Sequence, residues 1–243
     1  MARRSPAATA PVLPFAPAPA GGSARATMRN RRRAPDDFEA ALRARGITLI
    51  AGIDEAGRGC WAGPVSAGAV ILPESGDFSG IDDSKMLSAD AREDAFQRIA
   101  GGLAVSWAAG VASAAEVDDL GIVPATHLAM RRALVALSPA PQHLLVDALT
   151  LSATAVPQTA IIRGDSRSVS IAAASIVAKV TRDRWMRGVA EQDFPGYGFA
   201  SHKGYGTREH ALSLNRLGLC ALHRRSFAPV AKVAAERENH RGA

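Results

Sequence analysis

The order in which short apolar runs occur along this chain restricts its architecture more than any other feature. Ile47 to Ile53, Val65 to Leu72 and Leu103 to Val111 come first, each flanked by Gly or Pro and rich in β-branched or small residues. Runs of that length and texture form strands, and three in succession read as a meander. A helix is expected between the second and third, from Ser88 to Ala100, with Ser88 as N-cap and Ala91, Ala95, Phe96 and Ile99 on one side. Beyond them the pattern changes. A helix at Pro124 to Leu137, strands at His143 to Val146 and Thr159 to Arg163, a long helix from about Ser168 to Val189 and a last one at Thr207 to Leu217 follow. Strands first and alternation afterwards imply an α/β domain with a mixed sheet in one layer and helices packed against it.

Composition decides how much of the chain takes part. With 47% apolar residues over 243 positions, one medium domain or two small ones can bury a core. Gly101 to Ala115, an uncharged run of small and apolar residues, falls short of the roughly 18 to 20 residues that cross a bilayer, and no membrane partner is expected. Cys60 and Cys220 form neither a disulfide framework nor a C-x-x-C motif, which suits a reducing, cytoplasmic setting. Residues 1 to 34 are Ala, Pro and Arg, with seven Arg and no acid, and should form a disordered basic tail. Five prolines between Pro6 and Pro19 argue against an export signal there. The expected division is a tail over 1–34, a catalytic domain over 35–230 whose C-terminal extension starts near 190, and a flexible tail over 231–243. Within the body, residues 36–165 hold 9 Lys and Arg against 17 Asp and Glu, while residues 166–243 hold 13 against 6. An acidic half can hold cations while a basic half follows phosphates.

The acids recur at one kind of place. Asp54 and Glu55 follow the apolar run to Ile53 and precede a glycine turn, Gly57-Arg58-Gly59; Asp147 follows Leu144-Leu145-Val146; Asp165 follows the run ending at Arg163. Neighbours on a strand point to opposite faces, so Asp54 and Glu55 can converge only if the strand ends and bends there. Singly, each acid reads as a solvated turn, or for Asp165 as a helix-leading acid. As a set, at strand ends that gather on one sheet edge, they suit hard divalent cations such as Mg²⁺ or Mn²⁺ and two-metal phosphodiester hydrolysis. The spacing Gly57-x-Gly59-x-x-Ala62 also fits a dinucleotide fingerprint, but a β-like run follows in place of the required helix, and two carboxylates would repel a pyrophosphate.

Cation usage adds a further clue. Only four of the 29 basic residues are Lys, and Lys85, Lys179 and Lys203 sit in Asp-Asp-Ser-Lys, in the Ala- and Ser-rich helix, and beside Gly-Tyr205-Gly. Arg182, Arg184, Arg187, Lys203, Arg208, Arg216, Arg224 and Arg225 would provide a phosphate-tracking surface, with Tyr205 able to stack on a sugar or base. The small residues Ile171 to Ala178 read as close packing on the sheet, the six His as structural or surface residues, and both Cys as inert thiols.

These segments resemble bacterial ribonuclease HII. Asp54-Glu55-Ala56-Gly57-Arg58-Gly59-Cys60, Asp83-Ser84-Lys85, Val146-Asp147, Gly164-Asp165-Ser166, Lys179-Val180-Thr181-Arg182-Asp183, His202-Lys203-Gly204-Tyr205-Gly206-Thr207 and His223-Arg224-Arg225-Ser226-Phe227 carry the likeness, from about Ile47 to Val230. Ala148 departs from it, standing where the family usually has Gly. The Pro-rich start does not resemble the folded N-terminal domain of ribonuclease HIII. The resemblance implies a ribonuclease H-like fold: a mixed five-stranded sheet, flanking helices and a C-terminal helical extension. It also implies a monomeric endonuclease that cuts the RNA strand of RNA·DNA hybrids and single ribonucleotides in duplex DNA, a replication and repair activity, leaving 3′-hydroxyl and 5′-phosphate ends. Asp54, Glu55, Asp147 and Asp165 would bind Mn²⁺ or Mg²⁺; Gly57, Arg58 and Gly59 would read the 2′-hydroxyl, Tyr205 would meet the RNA to DNA junction, and Lys85 would lie near the phosphates. A non-catalytic nucleic-acid module would not need the four acids, and a small-substrate phosphatase would not need the basic extension.

Overall fold

The computed structural model describes residues 33–241. The tail expected over 1–34 lies outside them up to residue 32, but its last two residues do not: Arg33 is exposed, whereas Ala34 is buried and its amide donates to the Ile81 carbonyl.

A single five-stranded sheet organises the chain in the order β3-β2-β1-β4-β5, from β1 (Ile50–Ala56), β2 (Val65–Ile71), β3 (Ser106–Ala112), β4 (His143–Asp147) and β5 (Gln158–Ile161). β1, β2 and β3 pair antiparallel, as a meander requires, and β4 and β5 add in parallel on the other side of β1. The sheet is mixed, as expected. Around it lie α1 (Asp37–Arg43), α2 (Ala89–Arg98), α3 (Ala114–Leu120), α4 (Ile122–Val135) and α5 (Val169–Trp185). Ser88 and Ser168 cap α2 and α5 by accepting from the Ala91 and Ile171 amides. The C-terminal extension contains α6 (Glu191–Asp193), α7 (Phe199–His202), α8 (Arg208–Leu217) and α9 (Ala228–Arg241), so the stretch from 231 expected as a flexible tail is helical to Arg241.

Two apolar layers hold the helices on the sheet. Ala51, Ile53, Ala67 and Ala69 meet Ala125, Ala129, Met130 and Ala133 of α4 on one side; Val70 and Leu72 meet Phe96 of α2 and Ala172, Ala173 and Ile176 of α5 on the other. α5 touches the strands at backbone distance. A Cβ on Gly52 would lie 2.0 Å from the Ser170 carbonyl carbon, and one on Gly68 2.2 Å from the Ala174 oxygen. The small-residue run 171–178 is thus what the sheet requires of this helix.

Candidate active site

Parallel pairing brings two acids to the same sheet end. Ile53 lies opposite Val146, so Asp54 and Asp147 are the next residues of β1 and β4. On its other side β1 keeps its ladder with β2 through Ala56 opposite Ser66. The strand therefore does not end at the acids, as the sequence suggests; its pairing stops there on one side. Asp165 also differs in detail: β5 stops at Ile161, and Asp165 sits in a 3₁₀ turn, Gly164–Ser166, just before α5.

The four carboxylates share one electrostatic environment. Asp54 is buried, and desolvation followed by the charges of Glu55 and Asp147 pushes its carboxyl well above the ordinary range, with Asp165 adding to the effect. Burial likewise raises Glu55 and Asp147. Each acid already has one donor: Glu55 N–H donates to Asp54 Oδ1 at 2.7 Å, Arg58 Nη1 to Glu55 Oε1 at 3.2 Å, Gly164 N–H to Asp147 Oδ1 at 2.6 Å and Lys85 Nζ to Asp165 Oδ2 at 2.8 Å. The Asp165 hydrogen bond raises the Lys85 ammonium above its ordinary value. With those donors in place, no three His, Cys, Asp or Glu groups among the described residues close into a ready-made cage for an ion. The donor set nevertheless fits a hard divalent cation: every donor is oxygen, mutual repulsion penalises all four charges together, and Glu55 Oε2 is buried without a partner.

Next to the acids, the segment 57–64 is stitched to the C-terminal extension. Trp61 N–H donates to the Gly204 carbonyl, Gly63 N–H to Leu222, and Arg224 N–H to Trp61. Two guanidinium groups complete the seam. Arg182 donates to the carbonyls of Pro64 (2.8 Å), Lys203 (2.9 Å) and Ala62 (3.0 Å); Arg224 donates to Gly63 (2.9 and 3.0 Å) and Arg58 (2.8 Å). Both are fully buried, which corrects their placement on a phosphate-tracking surface. Burial lowers the Arg224 guanidinium to about 10. The charge pattern alone hides this, but one signal existed: α5 is buried on every side from Val169 to Ala178, so an Arg one turn further on has no assured solvent face.

Gly57 has φ +88°, and a Cβ there would lie 2.1 Å from Arg182 Nε, so the fold itself demands glycine at this position. Gly59 is exposed, with nothing within 4 Å of a Cβ, and Arg58 is partly exposed beside Glu55. Tyr205 is 38% exposed, with Lys179 Nζ 5.0 Å and Arg182 Cζ 5.8 Å from its ring centroid. The structure therefore gathers Asp54, Glu55, Asp147, Asp165 and Lys85 at one sheet end. It joins the Gly57-Arg58-Gly59 turn to the Tyr205 segment through Arg182, whose guanidinium lies against Gly57, holds the Lys203 carbonyl and faces the Tyr205 ring. Ala148, next to Asp147, adopts φ +51°, a left-handed conformation that a glycine would hold without strain.

Comparison with known proteins follows the same segments. The family model described as Ribonuclease HII matches residues 51–230. A ribonuclease HII of Geobacillus thermodenitrificans is 55% identical over 193 residues, which are 79% of this chain and 73% of that protein. Among solved structures, ribonuclease H2 from Pyrococcus horikoshii superposes with a TM-score of 0.66 at 23% identity, covering 78% of this chain and 98% of that one. Bst-RNase HIII, crystallised with Mn²⁺, gives a TM-score of 0.59 at 21% identity over 82% and 74% of the two chains. At those identities the structures establish the ribonuclease H-like fold.

Proposed function

This chain belongs to the ribonuclease HII family and is a ribonuclease H endonuclease, and from that premise we propose that it cuts both RNA·DNA hybrids and single ribonucleotides embedded in duplex DNA, leaving 3′-hydroxyl and 5′-phosphate ends. The observation that carries the reading is the gathering of Asp54, Glu55, Asp147 and Asp165 where burial, with like charge added to it, raises the Asp54 carboxyl well above its ordinary range. Mg²⁺ or Mn²⁺ held by these four would activate the attacking water and stabilise the leaving oxygen.

The remaining residues position the substrate. Exposed Gly59 lets backbone amide and carbonyl groups approach a 2′-hydroxyl closely, and Gly57 and Arg58 shape that approach. Lys85, 76% exposed at its side chain, can turn from Asp165 toward a phosphate without leaving the site. Tyr205, with Lys179 and Arg182 near its ring, offers an aromatic surface to the sugar that follows the ribonucleotide. The exposed bases of the C-terminal half, Arg208 and Arg225 among them, track the duplex backbone. Free Cys60 and Cys220 fit a cytoplasmic location, and the reading is of a monomer.

A duplex carrying one ribonucleotide, incubated with and without Mg²⁺ or Mn²⁺, tests the reading. Metal-dependent nicking with a 3′-hydroxyl is expected. No nicking with either metal, or 2′,3′-cyclic phosphate ends, would overturn it.

A further inference from the structure

Beneath Tyr205 lies a group of imidazoles that the cleavage chemistry leaves unused. His202, His210 and His223 are buried; the His202 and His210 rings stack at 4.4 Å, and Trp61 lies 5.5 Å from His210. Their hydrogen bonds admit one protonation state. His210 Nδ1 is 2.9 Å from the Tyr205 carbonyl, and a carbonyl can only accept, so Nδ1 carries the proton and Nε2 is bare. That bare Nε2 lies 3.1 Å from His223 Nε2, which must therefore donate. His223 Nδ1 is then bare in turn, and the Cys220 amide donates to it at 3.0 Å. His202 is fixed in the same way, donating from Nε2 to the Tyr197 carbonyl at 2.8 Å and accepting from the Gly204 amide at 3.1 Å. All three rings are neutral and every ring nitrogen is matched, in keeping with burial, which lowers His210 and His223 to about 4.

Such a chain is directional, and its end is Tyr205. The Tyr205 amide donates to the His202 carbonyl at 2.9 Å and its carbonyl accepts from the Thr207 amide at 2.8 Å; His210 Nδ1 adds the side-chain donor to that carbonyl and so completes the restraint on the peptide that aims the ring. We propose that His210, locked in one tautomer by His223 and the Cys220 amide, is a positioning residue for Tyr205 and thereby sets the preference for a single embedded ribonucleotide over a continuous RNA·DNA hybrid. The inference rests on the reading of Tyr205 as the contact to the following sugar.

The test uses the full chain with His210→Phe, which keeps an aromatic ring but no donor, and His210→Asn, whose amide N–H can take the place of Nδ1–H. Two readouts are taken: the ratio of cleavage rates on the two substrates, and fluorine NMR of protein labelled with 3-fluorotyrosine. The chain has two tyrosines, so Tyr205→Phe assigns the lines. His210→Phe should shift or broaden the Tyr205 line and lower the rate ratio about tenfold, the worth of one lost hydrogen bond. His210→Asn should restore much of both. In a Tyr205→Ala background, His210→Phe should produce no further drop in the ratio. A parental line and a parental ratio in His210→Phe would overturn the proposal. An unchanged ratio in Tyr205→Ala would instead overturn the sensing role of Tyr205, while the fluorine line still decides whether His210 holds it. Should His210→Phe not fold, His223→Met removes the next donor in the chain and must move the ratio the same way.

Discussion

Gly57→Ala and Gly59→Ala, two residues apart in one turn, should fail for different reasons. At Gly57 the backbone is left-handed, at φ +88°, which costs an L-residue about 1–2 kcal/mol. The new methyl would also lie 2.1 Å from Nε, 2.5 Å from Cδ and 2.9 Å from Cζ of Arg182. That side chain cannot swing aside freely, because three carbonyls hold its guanidinium in a fully buried site. Losing even one of those charged hydrogen bonds costs about 1.5–3 kcal/mol. Together the effects come to about 2.5–5 kcal/mol, and at about 2–4 °C per kcal/mol for a domain of this size the melting temperature should fall by roughly 5–20 °C. At Gly59 the φ is not left-handed and nothing lies within 4 Å, so Gly59→Ala should stay within about 0.5 kcal/mol of the parent. Its effect should fall on cleavage at an embedded ribonucleotide, reduced about tenfold or more as the backbone is held away from the 2′-hydroxyl. Calorimetry and a nicking assay on both variants decide. A Gly57→Ala protein that melts within about 2 °C of the parent would refute the reasoning, since the strain and the clash would then both have been absorbed.

Asp54→Asn and Asp147→Asn should each reduce cleavage by roughly two to three orders of magnitude or more while hybrid binding in gel shifts persists; substantial turnover by either would remove it from the metal-binding set. Ala148→Gly should raise stability by about 0.5–1 kcal/mol, because it relieves the left-handed strain at φ +51°, and an unchanged or lower denaturation midpoint would contradict that. His210 and His223 bind protons more weakly folded, at about 4, than at their ordinary 6.5. Their contribution to stability is therefore present at neutral pH and is lost as pH falls from about 6.5 through about 4. Urea midpoints across that window should decline more for the parent than for His210→Phe, in which His202, His223 and Cys220 keep their places; parallel curves would refute the assignment.

Local chemistry made much of this protein legible in its amino-acid order. Ile47 to Ile53 and Val65 to Leu72 declare themselves as strands by composition and by the Gly and Pro around them, Ser88 as a cap by the helix it precedes, and Asp54, Asp147 and Asp165 as acids following apolar runs. Small residues over 171–178 announced a helix that must approach a sheet closely, and Gly52 and Gly68 are where it does. Parallel pairing of β1 with β4 then brought the acids to one end. What charge and spacing could not reveal was the side of the protein on which a residue would lie. Arg182 and Arg224 look like solvent-facing cations in a basic segment, yet apart from the Lys203 carbonyl their partners are carbonyls 118 to 166 positions away along the chain. Gly57 looks like a turn glycine, and only the arrival of Arg182 from α5 makes its missing Cβ obligatory. His210 and His223 carry no motif spacing, because what fixes their tautomers is a backbone carbonyl at one end and an amide at the other. Propensity and pattern are properties of neighbours in sequence, so the sequence settles them. Burial, and the partner that each buried polar group must find, are properties of neighbours in space, and they exist only once the sheet and the C-terminal extension have closed on each other.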